Sequence, residues 1–464
     1  MSTLANSPSA KDIAYHLHPY TNFVAHEAQG PHIMTEGDGI YVIDDTGKRY
    51  IEGLAGLWCA SLGFSNERLA AAGAAQLRQL PYYHNFAHKT TPAVVELAER
   101  LIKMAPGPMS KVFFTNSGSE ANDSQVKMVW YYHNAIGKPE KKKIISRIGG
   151  YHGVTVAAAS LTGLPYVQDA FDLPIANILH TENPHYWRFG QAGESEEDFA
   201  TRMAASLEQL ILDEGPETVA AFIAEPVQGA GGVIVPPKTY FAKVQEVLRR
   251  YDVLFIVDEV ICGFGRTGNM FGSETFDLKP DMVTVAKALS SSYLPIAGAM
   301  ISEKIYQAIR DESGRRGVFG TGYTYSGHPV CAAVALETLK IYEETDIIGH
   351  VRSISPHFLR RLHALGDHPL VGETRGVGLI GAVQLVPDKA TNKLFDPALK
   401  VGATAMARGL ENGLIFRALP GDAAALCPPL IITEDEIDDM FDRLGRTLDD
   451  TLDILAKDGA LAAE

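Results

Sequence analysis

The sequence predicts an α/β chain, with a large domain around a mostly parallel central sheet and a smaller α+β domain assembled from both chain ends. Three observations predict it. From about residue 111 short apolar runs alternate with helix-length segments, and uninterrupted apolar strands mark a parallel sheet covered on both faces. At 464 residues the chain exceeds what one compact core supports, so more than one lobe is expected. The stretches before and after carry hairpin and mixed patterns instead. The boundaries follow: 1–60 as an N-terminal arm and part of the small domain, 61–335 as the large domain, and 336–464 as the C-terminal small domain.

Residues 1 to about 20 read as a poorly ordered arm, since termini usually are unless tied down. GIYVIDDTGKRYIEGL then alternates apolar and polar residues around Asp45, Thr46 and Gly47, which predicts a hairpin. TPAVVELAERLIKM predicts a helix with Thr91 as N-cap and Pro92 in its first turn. KVFFT, KKIISRI, VAAFIAE, VLFIVDE and DMVTVAK read as buried strands, with helices at ANDSQVKMVWYYHNA and YFAKVQEVLRRY between them. HPVCAAVALETLKIYEE predicts a long helix. Beyond it GVGLIGAVQLV and NGLIF read as strands, and EDEIDDMFDRLGRTLDDTLDIL as a terminal helix.

Composition narrows the function. With 41 basic and 56 acidic side chains the net charge is −15, the wrong sign for a phosphate backbone or an anionic bilayer surface. No nucleic acid or membrane partner is expected. The four cysteines (Cys59, Cys262, Cys331, Cys427) are widely spaced and form no C-x-x-C, so reduced thiols are the default. The N-terminus lacks the basic and apolar regions of a signal peptide, and no apolar run is long enough to span a bilayer. A soluble, cytoplasmic protein is expected.

The chemistry is carried by the ends of the strands. DEVICGFGRTG follows the apolar run VLFIV, and Gly263, Gly265 and Gly268 spell G-x-G-x-x-G. A dinucleotide site needs a helix beginning inside that turn, but Gly272 and Pro280 in NMFGSETFDLKPD break any such helix. The glycines are therefore a loop, and Asp258 is the residue of interest. Open α/β sheets place ligands at the C-terminal ends of their strands, where Asp258 sits; the next strand, MVTVA, ends the same way with Lys287.

A carboxylate and an amine at one sheet edge match the needs of pyridoxal 5′-phosphate. Its aldehyde condenses with a lysine, here Lys287, and a carboxylate, here Asp258, keeps its pyridine nitrogen protonated. The phosphate needs a cradle, and KVFFT runs into NSGSEAN, where Ser117, Gly118 and Ser119 offer hydroxyls and N–H groups at a helix start. GGYHG follows KKIISRI, so Tyr151, beside His152, is placed to stack on one ring face, with Val260 on the other.

These residues resemble the class III pyridoxal-phosphate aminotransferases of fold type I, over nearly the whole chain. NSGSEAN, GGYHG, AEPVQGAGG, VDEVICGFGRTG, AKALSSSYLP and GYTYSGHP stand in the family's order. The resemblance implies a homodimer, possibly paired into a tetramer, with active sites at the interface. It assigns Thr324 to the phosphate of the neighbouring subunit and makes Glu225 an acid that orients Asp258 and its surroundings. Within the family the chain is most similar to ω-transaminases that pair an amine donor with pyruvate. That subgroup has an aromatic pocket wall at Trp58, a second wall contributed across the dimer at Phe86, and a mobile arginine at Arg417.

A guanidinium binds a carboxylate bidentately, so Arg417 would hold pyruvate or alanine and swing out for an uncharged amine. Relatives acting on ornithine or 4-aminobutyrate are expected to carry an acid in place of Ala230; a small residue there leaves Arg417 unpartnered, which favours amine-type donors. The implied reaction is ping-pong transfer from a primary amine or ω-amino acid to pyruvate, giving an aldehyde or ketone and L-alanine, with Lys287 moving the proton. The alternatives are a β-alanine or taurine-type aminotransferase, an aminomutase or decarboxylase on the same site, or a non-catalytic cofactor-binding module. No metal is expected: His84 and His88 are four apart, but Pro81 and the lack of an acid at ligand spacing argue against a zinc helix.

Overall fold

The computed structural model describes residues 6–461. Chain order begins with an antiparallel meander, β1 (Met34–Asp38), β2 (Tyr41–Asp44) and β3 (Arg49–Glu52), whose second turn is the predicted Asp45–Gly47 segment. Seven strands follow: β4 (Met109–Thr115), β5 (Lys143–Arg147), β6 (Ile178–Thr181), β7 (Val219–Ala224), β8 (Leu254–Asp258), β9 (Met282–Val285) and β10 (Ala297–Ser302). They form one sheet in the order β4-β10-β9-β8-β7-β5-β6, in which only β10 runs antiparallel to its neighbours. The last five are β11 (Val371–Val377), β12 (Ile380–Leu385), β13 (Leu414–Ile415), β14 (Arg417–Leu419) and β15 (Ala423–Leu426).

The period of two along each strand sorts the central core into two layers. Phe222, Phe255 and Val257 face the helices Glu196–Glu214 and Tyr240–Arg250, meeting Phe199, Met203, Leu207, Phe241 and Val244. Ala221, Ile223, Leu254 and Ile256 face the other way, toward Val126 and Val129 of the helix Gly118–Ala135 and Ile305 of the helix Glu303–Arg316. Apolar residues at every position of β7 and β8 are thus required by helices on both faces.

The two chain ends meet in the sheets outside this layer. Leu414 and Ile415 of β13 pair in parallel with Ile51 and Glu52 of β3, while β11, β12, β15 and β14 form an antiparallel sheet. GVGLIGAVQLV is not one strand. It turns at Gly378, at φ +60°, where a Cβ would lie 2.3 Å from the Arg266 carbonyl oxygen, so the segment is the hairpin of β11 and β12.

The arm also differs from expectation. Beyond residues 1–5, which lie outside the described residues, Pro8–Tyr15 is a helix whose N-cap Ser7 accepts from the Ala10 N–H at 3.2 Å, and Phe23–Gln29 is another. Side chains hold the arm together: Asp12 accepts from His18 and His26, and the segment between the helices lies over the C-terminal edge of the sheet. Among the described residues no helix is long and apolar enough to cross a membrane.

Candidate active site

Five parallel strands release their chains at one edge of the sheet, and a cavity of about 730 Å³ opens there. From β4 come Asn116–Ser119, from β5 Tyr151–Gly153, from β7 Glu225 and Ala230, from β8 Asp258 and Val260, and from β9 Lys287. Trp58 and Arg417 join the lining from outside the central sheet. Of the residues singled out in the sequence, all but Phe86 and Thr324 therefore converge on one space. Those two are exposed elsewhere on the chain and close to each other, since a Cβ on Gly322 would meet the Phe86 ring at 2.7 Å.

Asp258 is held on three sides. Its Oδ2 accepts from Asn122 Nδ2 at 2.8 Å and contacts His152 Nδ1 at 2.9 Å, and its Oδ1 accepts only the Val260 N–H, at 3.1 Å. The carboxylate is 3 % exposed, and Oδ1 keeps capacity for one more donor. The neighbouring Glu259 plays a different part. It takes the Gly272 and Ser273 N–H groups and the Ser273 hydroxyl, capping the short helix Gly272–Thr275, and burial pushes its pKa up to about 7.

Asn122 is the residue that sequence reasoning missed. Besides Asp258 it donates to the His152 carbonyl at 2.7 Å and accepts from Thr284 on β9 at 2.6 Å, and Thr284 in turn accepts from Gln125. One amide thereby ties the helix Gly118–Ala135 to β8, β9 and the GGYHG loop. The available signal was spacing: Gly118, Asn122 and Gln125 lie on one helical face, and two amides on a buried face need partners.

The helix that carries Asn122 begins at the expected cradle. Ser117 is its N-cap, its hydroxyl accepting from the Glu120 N–H at 3.2 Å, and Ser119 Oγ accepts from the Val154 N–H at 3.1 Å. Both hydroxyl protons remain for an anion, alongside N–H groups of the first turn that have no partner within the helix. Glycine is required at Gly153, where a Cβ would lie 2.4 Å from Ser119 Oγ, and at Gly118 a Cβ would make a tight 3.1 Å contact with Val260 Cγ2.

Glu225 is 3 % exposed, and burial raises its pKa. Its two oxygens accept from the Tyr151 N–H at 3.0 Å and the Gly229 N–H at 3.1 Å, so it fixes the aromatic ring of GGYHG and the loop carrying Ala230. Lys287 stands opposite, at φ +50°, a backbone conformation that costs a non-glycine residue on the order of 1–3 kcal/mol. Burial lowers its pKa, with smaller opposing effects from neighbours that include Asp258 and Glu225.

Arg417 opens β14 and faces tyrosines. Its guanidinium carbon lies 6.0 Å from the ring centroid of Tyr20, and no ion pair to a carboxylate is found for it among the described residues. Tyr20 comes from the arm, its hydroxyl donating to that of Tyr151 at 3.2 Å, and Tyr166 also lines the space. The sequence showed neither tyrosine: the arm offered no pattern that fixes where Tyr20 packs, and Tyr166 lies in the short helix Pro165–Gln168, which carries no motif.

A wall of donors for an anion, a carboxylate with one free lone-pair direction, a stacking ring and a buried amine thus surround one cavity. The model of the aminotransferase class-III family matches residues 23–448. The chain is a class III aminotransferase. The family's cofactor is pyridoxal 5′-phosphate, and the site fits it on the grounds just given.

Three relatives place this aminotransferase among others. It is 50% identical to the chloroplastic gamma aminobutyrate transaminase 3 of Solanum lycopersicum, over 97% of this chain and 88% of that protein. The omega transaminase of Pseudomonas jessenii, solved in complex with PMP, superposes with a TM-score of 0.94 at 56% identity, over 97% of this chain and 99% of that one. A thermostable omega transaminase engineered for asymmetric synthesis of enantiopure bulky amines superposes at 0.95 with 55% identity, over 97% and 100%. Its three substitutions replace a tryptophan, a phenylalanine and an arginine.

The expectation of no metal rested on His84 and His88. Elsewhere the fold brings together a group the sequence reading did not weigh, Asp12, His16 and His18, whose ligand atoms all lie within 4.8 Å of one another.

Proposed function

We propose that this aminotransferase moves an amino group from a primary amine or an ω-amino acid to pyruvate, giving an aldehyde or ketone and L-alanine. The observation that carries the reading is Arg417, which faces Tyr20, Tyr151 and Tyr166 across the cavity and, among the described residues, has no ion pair to an acid. A guanidinium so placed pairs with the carboxylate of alanine or pyruvate, and when the donor has none it rests against aromatic faces. Trp58 and Ala230 leave an apolar wall and room beside it. The engineered relative supports this assignment, since a tryptophan, a phenylalanine and an arginine are the residue types altered there for bulky amines.

When bound, the cofactor supplies an electron sink and a carbonyl that carries the amino group between donor and acceptor. Ser117, Ser119 and the first turn of their helix would hold its phosphate, Tyr151 and Val260 its ring faces, and Asp258 its ring nitrogen. Asn122 and His152 hold the Asp258 carboxylate in position. Lys287, with its pKa lowered by burial, is the group that would move the proton from the donor carbon to the carbon of the cofactor's carbonyl. Glu225 positions Tyr151 through its backbone N–H.

A second reading comes from the curated relatives: donors restricted to 4-aminobutyrate and other ω-amino acids, with Arg417 as a fixed carboxylate clamp. Steady-state kinetics with pyruvate separate the two. Parallel double-reciprocal lines and L-alanine from both 4-aminobutyrate and 1-phenylethylamine support the broad reading; alanine from ω-amino acids only supports the clamp. Multiple turnovers by Lys287→Ala overturn both. We also propose a homodimer, supported by Phe86 and Thr324, which are exposed and do not line this chain's own cavity. Light scattering showing a single-chain mass would refute it.

A further inference from the structure

We propose that the N-terminal arm binds a divalent transition ion of the zinc type through Asp12, His16 and His18, with His26, already on Asp12, drawn in as the fourth ligand, and that this ion fastens the arm's own segments to one another beside the mouth of the cavity. The pattern is Asp12-x3-His16-x-His18-x7-His26, spread over the end of the helix Pro8–Tyr15, the connecting segment and the helix Phe23–Gln29. Asp12 and His16 are one helical turn apart, which puts both on one face at the helix end.

The geometry is that of a ligand set. His16 Nδ1 lies 3.1 Å from Asp12 Oδ1, His18 Nε2 2.8 Å from Asp12 Oδ2, and His26 Nε2 2.9 Å from the same oxygen. Ligand atoms on a tetrahedral ion with bonds of about 2.0–2.1 Å stand on the order of 3.3 Å apart, and those of Asp12, His16 and His18 already lie within 4.8 Å of one another, so shifts of about 1–2 Å close this set of three. The imidazoles lie side by side at tilted angles, with ring centroids 4.1 Å apart for His16 and His18 and 4.3 Å for His18 and His26.

Three nitrogens and a single carboxylate suit zinc, nickel or copper and not calcium or magnesium, which demand oxygen shells. His26 is 11 % exposed and His16 59 %, so the group is anchored on one side and open to solvent on the other.

The consequence for the enzyme follows from chain position. Pro19 and Tyr20 directly succeed His18 and line the cavity, and Tyr20 donates to Tyr151. Outside the cluster the arm is weakly held, with no buried residue in either of its helices and Tyr15 and Leu17 87 % and 78 % exposed. Fastening His18 restricts where Tyr20 can go.

The test uses tag-free holoenzyme stripped with a chelator and titrated with Zn²⁺, by calorimetry with elemental analysis. The expected result is one Zn²⁺ per chain, a Kd at least about 100-fold weaker in His18→Ala, and no uptake in His16→Ala/His18→Ala, whose thermal melts in chelator match the unaltered chain. In parallel, chymotrypsin cleavage at Tyr15 and Leu17 slows on adding Zn²⁺ to the unaltered chain and not to the double variant. Absence of stoichiometric uptake, or uptake that survives the double substitution, overturns the site. Uptake at this site without protection of the arm overturns the fastening.

Discussion

Lys287 is the residue whose environment most constrains the chemistry. Burial lowers its pKa, and the proton-accepting form is the neutral amine, so the limiting rate of a half-reaction at saturating alanine increases as pH rises through that pKa and is level above it. The plateau is expected below about 10.4, where an ordinary lysine would titrate. A stopped-flow profile still climbing there contradicts the assignment. Asn122 is tested differently. Asn122→Ala leaves the Thr284 hydroxyl without its acceptor and Asp258 Oδ2 with His152 alone, an expected loss of about 1–3 kcal/mol of stability together with weaker cofactor retention. Thermal melts with and without added cofactor read both, and an unchanged melt with full retention refutes the role. Lys287 and Asp258 were legible because each ends an apolar strand. Asn122 was not, because an asparagine inside a helix acquires meaning only when the facing strand is known.

At the scale of elements, the strand-to-helix turns determine whether a cofactor fits. Gly153 sits at φ +130° with a Cβ position 2.7 Å from Ser119 Cα, so Gly153→Ala must move the GGYHG loop off the cradle. Gly137 also has positive φ, at +76°, but open space around it. Gly137→Ala should cost about 1–2 kcal/mol from backbone strain alone and retain the cofactor, whereas Gly153→Ala should lose it. Equal cofactor content in the two variants, measured by absorbance after gel filtration, contradicts this. The same physics explains which elements the sequence disclosed. VAAFIA and LFIVD announce themselves because helices cover both faces. AGAMIS in β10 does not, since its small residues serve close packing: a Cβ on Gly298 would sit 2.7 Å from Val112 Cγ2. The helix Ile347–Ala364 is masked by Pro356 in its interior, a residue that normally breaks the pattern.

At the scale of the whole molecule, the site is a meeting of distant parts: five strand ends from the central sheet, Trp58 from near the N-terminal meander, Arg417 from the C-terminal sheet and Tyr20 from the arm. The order of motifs made the central part readable, and the family pattern supplied Trp58 and Arg417. Tyr20 needed the folded chain, because no local periodicity says which surface a terminal arm covers, and Tyr166 because the four-residue helix Pro165–Gln168 is too short to show a face. With no ion pair to an acid among the described residues, Arg417 would let one cavity take donors with and without a carboxylate. The most direct test is to follow the visible cofactor band in acceptor-free half-reactions with L-alanine and with 1-phenylethylamine, comparing the unaltered enzyme with Arg417→Leu. The account predicts that both donors bleach the unaltered enzyme, and that the substitution slows alanine by at least about 100-fold, the loss of a bidentate charged pair, while 1-phenylethylamine changes by less than about tenfold. Failure of 1-phenylethylamine to bleach the unaltered enzyme, or equal slowing of both donors in Arg417→Leu, would contradict it.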